Sequence, residues 1–288
     1  MTEDWNIFER NTERERMSLF LNTGLKQNDP PNGYTMLLSL TVNLYRALGN
    51  QTIGAIYEQV YKLEDRLESL MSRQENKDRL GIYVGRLMTS SKVELFYYMK
   101  DGSEYKHELE TLIKAYDQFN FTYAERPDAN WSFYTDYLYP TPLEQLYMRN
   151  ARLFYGLRQN GYKLDVVRPV HHVLYFDGRE SMDVCKQKAI AHGFKVELTE
   201  NVTEMGKGHK LVVSKRVVLD MGALNGMVRE LFELAEAHGG NYDGWGTDAS
   251  RRFTVRLRLA MRNPRLIVAA FAVIILAAAT WELLSFNK

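Results

Sequence analysis

The sequence predicts an α+β chain: two successive β-α-β-β-α-β sandwich domains followed by a C-terminal transmembrane helix. Three observations carry this. Segments with apolar residues three or four apart alternate with short β-branched and aromatic runs bounded by Gly, Pro, Asn and Asp. The same element order occurs twice. Between Leu266 and Thr280 there is no charge, no Gly and no Pro.

In the first region, Met17 to Leu21 and Tyr34 to Tyr45 read as strands joined by the loop GLKQNDPPNG. A helix follows, with Ile53, Ile56, Val60, Leu63, Leu67 and Leu70 along one stripe. Two strands, Gly81 to Met88 and Val93 to Met99, are joined by TSSK. A helix from about Glu104 to Phe119 places Leu109, Leu112, Ile113 and Tyr116 on one face, and a strand at Phe121 to Ala124 closes the unit. The aromatic stretch WSFYTDYLYP alternates, with Trp131, Phe133, Thr135, Tyr137 and Tyr139 on one face and Ser132, Tyr134, Asp136 and Leu138 on the other. Thr141-Pro142 starts a third helix that ends near Asn160-Gly161.

The second region repeats the order. Val170 to Phe176 is a strand, and Ser181 to His192 a helix stopped by Gly193. Phe194 to Glu200 and His209 to Val218 are strands around the loop NVTEMGKG. Asp220 caps a helix over Met221 to His238, which Gly239-Gly240 terminates. Asn241 to Thr247 is the last strand; Phe253 to Ala260 either extends it or leads by a helix into the span. This split βαβ order is the ferredoxin-like arrangement, an antiparallel sheet with both helices on one face. The expected divisions are residues 1–162 and 163–250, a basic juxtamembrane segment at 251–263 and a membrane helix at 264–284.

The chain has 37 Lys and Arg against 36 Asp and Glu. Setting aside Arg251, Arg252, Arg256, Arg258, Arg262 and Arg265 leaves 31 against 36, so the folded part is mildly acidic. Nucleic-acid affinity rests on a basic surface, so no direct nucleic-acid binding is expected. Five of those arginines precede PRLIVAAFAVIILAAATWELL and the sixth, Arg265, is its second residue, ahead of the uncharged run; no acid falls among them, and Trp281 sits where an interfacial aromatic belongs. A hydrocarbon core needs about 20 apolar helical residues, and the positive flank stays inside. The opening MTEDWNIFERNTERER lacks the apolar stretch of a signal peptide. The expected location is therefore the inner (cytoplasmic) membrane, single-pass, with the domains in the cytoplasm.

Catalytic and metal motifs are sparse. The six histidines form no HExxH, and the lone Cys185 leaves no Cys-based zinc site, so no metal is expected. His171 and His172 point to opposite faces of a strand. There is no P-loop, no GxGxxG after a strand and no GxSxG, so no catalytic residue and no cofactor is assigned. Two clusters are candidate interaction sites. One is Tyr242, Asp243, Trp245 and Asp248, where Asp243-Gly244 reads as a turn or bulge and Trp245 as packing on the sheet. The other is Trp131, Tyr134 and Asp136 within WSFYTDYLYP.

The helix LNGMVRELFELAEAHGG running into NYDGWGTD resembles the family of the bacterial regulator of ribonuclease E activity B. LFL at 19–21 with Gly24-Leu25, LGIYVGRL, FYYMKD and WSFYTDYLYP resemble the bacterial domain of unknown function 695. The first resemblance implies a small ferredoxin-like protein that acts by binding a protein partner. The second carries no function. Together with the membrane segment they lead to the expectation of a membrane-tethered interaction or regulatory protein, with an RNA-degrading enzyme as one candidate partner. The alternative is a small-molecule-binding or hydrolytic enzyme using the acidic and aromatic clusters.

Overall fold

The computed structural model describes residues 3–13, 15–27, 30–44, 53–75, 78–102, 104–202 and 208–247. The chain is α+β with two separate main sheets. It divides into two compact units, with the break between Glu144 and Gln145.

In the first unit, β1 (Trp5–Asn11), β2 (Arg16–Asn22) and β3 (Met36–Asn43) precede α1 (Ile53–Met71). The two-residue strands β4 (Gln74–Glu75) and β5 (Asp78–Arg79) lead to β6 (Gly81–Met88), β7 (Lys92–Met99), α2 (Lys106–Lys114) and β8 (Asn120–Pro127). The sheet order is β1-β2-β6-β7-β3-β8. Its last four strands follow the split βαβ pattern, and the β1-β2 hairpin extends it beyond β6.

The two faces of this sheet explain why β7 is buried at five consecutive positions. Leu95, Tyr97 and Met99 join the core under α1 and α2, with Ile56, Val60, Leu63 and Leu67 from α1. Phe96 and Tyr98 point the other way and are covered by the segment after β8. The Phe96 ring lies 5.2 Å from that of Phe133, and Tyr98 stacks on Trp131 at 4.0 Å. One charged pair sits inside the α1 side. Arg86 donates to both Glu64 oxygens at 2.6 and 2.5 Å, and Tyr83 Oη donates to the same carboxylate at 2.6 Å. Three donated bonds offset the desolvation of that carboxylate.

The second unit contains α3 from Gln145 onward (helix Pro142–Gln159), β9 (Arg168–Phe176), α4 (Arg179–Ala191), β10 (Lys195–Asn201), β11 (His209–Val217), α5 (Met221–Ala237) and β12 (Gly240–Thr247). The sheet order is β10-β11-β9-β12, antiparallel throughout. The inward stripe of β9, Val170, His172, Leu174 and Phe176, is buried beneath α4 and α5. Met182, Cys185 and Ala189 supply the α4 side, and Leu224, Met227, Val228, Leu231 and Ala235 the α5 side. Burial pushes the Cys185 thiol up to about 11, so it stays protonated as a small apolar group.

The structure corrects several expectations. No element was expected at β1, in the opening stretch that lacks a signal peptide. It is a strand whose Asn6 and Phe8 point inward, and Asn6 Nδ2 donates to Thr23 Oγ1 at 2.7 Å in place of an apolar contact. α2 stops at Lys114, and turns bonded back to Leu112 and Ile113 carry the chain on to Phe119. WSFYTDYLYP does not alternate. It forms a helical turn of π type over Phe133–Leu138.

The inner-membrane, single-pass placement is also corrected. No helix among the described residues is long and apolar enough to cross a membrane. Each long helix has a charged face, as in the KLEDRLES run of α1. The expected span at 264–284, its flanking arginines Arg251, Arg252, Arg256, Arg258, Arg262 and Arg265, and Trp281 lie outside the described residues.

Candidate functional site

The helix-to-strand signature of the second unit is first of all structural. Asp220 caps α5, its Oδ1 accepting from Ala223 N at 2.8 Å. At the other end Gly239 takes a φ of 66°, the left-handed conformation that ends a helix at little cost for glycine. Gly240 answers to packing. A Cβ there would lie 2.3 Å from the Phe176 ring.

β12 then carries a bulge between Tyr242 and Gly244. Without it, Tyr242 and Trp245, three residues apart, would face opposite sides. The inserted residue brings both under the helices, 4% and 9% exposed. Tyr242 Oη and His172 Nδ1 are 2.8 Å apart. His172 is fully buried against the edge of Phe194. Burial, with His171 adding, depresses its pKa to about 3, so the ring is neutral. Trp245 Nε1 donates to Asn150 Oδ1 of α3 at 2.8 Å, and Asn150 Nδ2 donates to Asn225 Oδ1 of α5 at 2.9 Å. The Trp thus locks α3 to the sheet and α5.

The same bulge moves Asp243 away from Tyr242 and Trp245, toward the face opposite the helices. Three rows cross that face. Glu200, Lys210, Tyr175 and Asn241 form the first; Leu198, Val212, Val173 and Gly244 the second; Lys195, Ser214, His171 and Gly246 the third. The other edge strand, β10, has its own bulge between Val196 and Leu198. Its inserted residue, Glu197, also aims at this face and accepts from Ser214 Oγ at 2.7 Å. That bond holds the Glu197 carboxyl below its usual range against the opposing effect of burial. Burial pushes the Tyr175 phenol up, and Asp243 and Glu200 push it further. Burial lowers Lys210, while Glu200 and Asp243 counteract it. Acids stand at both edges of this face, Glu197 paired with Lys195 at 3.2 Å; the middle row is apolar, and Lys210, Val212 and Ser214 along its centre are buried.

In the first unit, the residues taken from WSFYTDYLYP are divided differently. Trp131 and Tyr134 are buried, 2% and 1% exposed. Trp131 Nε1 donates to Tyr34 O at 2.8 Å, and Tyr134 Oη donates to Asn22 O at 2.8 Å. Asp128 caps the turn, accepting from Ser132 N, Ser132 Oγ, Phe133 N and, at 2.5 Å, Tyr98 Oη. Asp136 is exposed and accepts from Thr135 Oγ1 at 2.8 Å. Asp248 lies outside the described residues.

Of the sequence candidates, then, Tyr242, Trp245, Trp131 and Tyr134 point into packing, and Asp243 and Asp136 do not. Sequence reasoning missed Tyr175, Glu197, Glu200 and Lys210 as a set. The signal was there in the outward positions of Val170 to Phe176 and in the two acids of a short strand, but only the register joins them. Lys210 and Lys215 do not form a basic group. They are an odd number of residues apart in β11, on opposite faces, and Lys215 Nζ donates to His192 O at 3.0 Å. Among the described residues no group of His, Cys, Asp and Glu could hold a metal ion.

Residues 3–139 match the family model described as "Family of unknown function (DUF695)". Residues 148–247 match the model described as "Regulator of ribonuclease activity B". No curated protein matches the chain. One solved structure, "Crystal Structure of an Unknown Protein from Galdieria sulphuraria", is 11% identical over 74% of this chain and 98% of that one, with a TM-score of 0.20. That likeness is too slight to bear on fold or function. The chain thus joins a DUF695 region to a regulator of ribonuclease activity B region, in that order.

Proposed function

We propose that this protein regulates a ribonuclease by binding it, without cleaving RNA itself. The observation that carries the reading is the regulator-family match across 148–247. It takes in most of α3, the whole second sheet and the bulged strand that carries Asp243. Binding rather than catalysis also suits the side chains. The aromatic groups offered as alternative catalytic machinery, Trp131, Tyr134, Tyr242 and Trp245, are engaged in packing and structural hydrogen bonds. Asp243, and with less support Asp136, are the sequence candidates retained as contacts.

The test is a reconstituted RNA-decay assay. Purified full-length chain is titrated against ribonucleases from the same cell, with a labelled RNA substrate. The expected result is a saturable change in cleavage rate for one enzyme, matched by a stable complex in size-exclusion chromatography. Rates unchanged for every enzyme, or RNA cut by the chain alone, would refute the proposal.

A further inference from the structure

We propose that β1 is a pairing edge, and that its occupant is the same strand of a second copy of this chain, set antiparallel about a two-fold axis at Ile7. The proposal goes beyond the regulatory reading and does not depend on it.

β1 is the outermost strand of the first sheet, and β2 is its partner. The bonds from Thr12 N to Glu15 O at 3.0 Å and from Thr23 N to Asp4 O at 2.8 Å bracket that pairing. An antiparallel ladder bonds every second pair, so the even-numbered residues of β1 give their main-chain groups to β2. The N–H and C=O groups of Trp5, Ile7 and Glu9 point the other way, off the sheet. Among the described residues no strand answers them.

Folded proteins guard such edges with bulges, prolines and charges. The other outer strands here are guarded. β8 ends on Pro127 and carries Glu125 and Arg126. β10 and β12 are both bulged, and β10 also carries Lys195, Glu197 and Glu200. β1 runs for seven residues with no bulge, Pro or Lys. Its Arg10 is held by Glu144 on the inner face, and its Glu9 is bonded to Arg16 of β2. Its centre is apolar. Ile7 is 65% exposed, the most exposed large apolar side chain among the described residues. It is in register with Phe20, and Phe20 with Arg86, while Trp5 stacks on Phe20 at 4.8 Å. An apolar row therefore runs to the edge of the sheet and stops there uncovered.

The strand is complementary to itself. Pairing about Ile7 lets the two Ile7 residues exchange both main-chain bonds and cover each other's side chains. Trp5 of each copy then lies across from Glu9 of the other, Asp4 across from Arg10, and Glu3 across from Asn11. No like charges face each other. Other registers are poorer. Centring on Asn6 sets Glu3 against Glu9, and centring on Glu9 sets that residue against itself, and like charges directly opposite are destabilising. Centring on Phe8 or Trp5 leaves Ile7 opposite Glu9 or Glu3.

Sedimentation velocity of the full chain, from micromolar to millimolar concentration, tests the proposal. The expected result is a reversible monomer–dimer equilibrium, weakened roughly tenfold or more by Ile7→Lys, which sets two like charges opposite each other at the axis. Thr122→Lys adds the same charge to β8, at the far edge of the sheet, and is expected to leave the equilibrium within about twofold. Oxidation with oxidised glutathione reads the register without disrupting the edge. Ile7→Cys places two thiols on Cα atoms roughly 5.5 Å apart, within disulfide reach. Glu9→Cys separates them by roughly 13 Å along the strands. The native Cys185 is buried and does not compete. A covalent dimer is expected from Ile7→Cys and little from Glu9→Cys. A chain that stays monomeric throughout overturns the proposal. So does self-association that Ile7→Lys leaves intact or that Thr122→Lys weakens equally, and so does crosslinking of Glu9→Cys as fast as Ile7→Cys. A monomeric chain that loses a ribonuclease complex on Ile7→Lys overturns the second copy in favour of a strand from the protein partner.

Discussion

Trp245 and Asn150 are bonded side chain to side chain across 95 residues, the indole N–H donating to the amide oxygen at 2.8 Å. Both are nearly or wholly buried, so the bond joins α3 to β12 where water cannot substitute for it. Asn150 lies within the regulator-family match, which begins at residue 148, ahead of the first strand of that sheet.

Trp245→Ala is expected to destabilise the second unit by about 3–5 kcal/mol, the usual cost of deleting a buried aromatic. Trp245→Phe retains most of the packing and strands the Asn150 carbonyl, so about 1–3 kcal/mol is expected. Urea unfolding, followed through amide exchange in β9 and β12, measures both. A Trp245→Ala chain with unaltered protection there would show that the indole is not part of the packing.

His172 gives the second unit a defined response to acid. Its folded pKa, about 3, lies below the 6.5 of a free imidazole. The unfolded chain takes up a proton below pH 6.5 that the folded chain refuses until about pH 3. The stability associated with the neutral ring is therefore complete above pH 6.5 and declines as pH falls through that window, by about 1.4 kcal/mol per unit. Between pH 7 and pH 5 wild type should lose about 1.5–2 kcal/mol more than His172→Gln. Parallel pH curves for the two chains would show that His172 titrates in the native state.

Gly240→Ala tests the close approach of β12 to β9. The new Cβ would fall 2.3 Å from the Phe176 ring, which is itself buried. A loss of about 1–3 kcal/mol is expected from overpacking. Phe176→Leu should itself cost stability but recover part of that loss in the double variant. Additive losses in a double-mutant cycle would mean that the ring is not what the methyl meets.

Much of this architecture is legible in the sequence because the two periodicities are clean where packing is one-sided. The stripe Ile56, Val60, Leu63, Leu67 in α1 and the outward and inward halves of Val170 to Phe176 report helix and strand directly. The reading fails where a polar group does an apolar group's work. Asn6 sits at an inward position of β1 and Ile7 at an outward one, 65% exposed, so this pair reverses the expected alternation that Phe8 and Glu9 follow. It fails differently at WSFYTDYLYP. Trp131, Tyr134 and Leu138 are three and four apart, which is helical spacing, but the density of aromatic residues suggests a strand. The candidate face was the least visible part. Glu197, Glu200, Tyr175 and Asp243 come from three strands, and only the register and two bulges bring them to one surface.

Asp128 is the residue on which the buried aromatic turn of the first unit depends. Burial alone would raise its pKa, but donors from Ser132, Tyr98 and the backbone N–H groups of Phe133 and Ser132 outweigh that and hold the carboxyl below 3.8. The turn it caps includes Trp131, a non-glycine residue at a φ of 55°, so part of that bonding offsets local backbone strain. Asp128→Asn keeps the shape and removes the charge that strengthens these bonds. A loss of about 1.5–3 kcal/mol at neutral pH is expected. Because the folded pKa is depressed, the charged form's contribution is complete above the unfolded value and disappears as pH falls through the folded one. The difference between wild type and Asp128→Asn should therefore be constant from pH 7 down to about pH 5 and close only in stronger acid. Tyr98→Phe removes one of the four donors and should couple to Asp128→Asn in a double-mutant cycle. Thermal unfolding followed by near-ultraviolet circular dichroism, which reads the stacked Tyr98 and Trp131 rings, measures each variant. A difference that closes already between pH 7 and pH 6 would show that Asp128 is not held in its charged form by these donors.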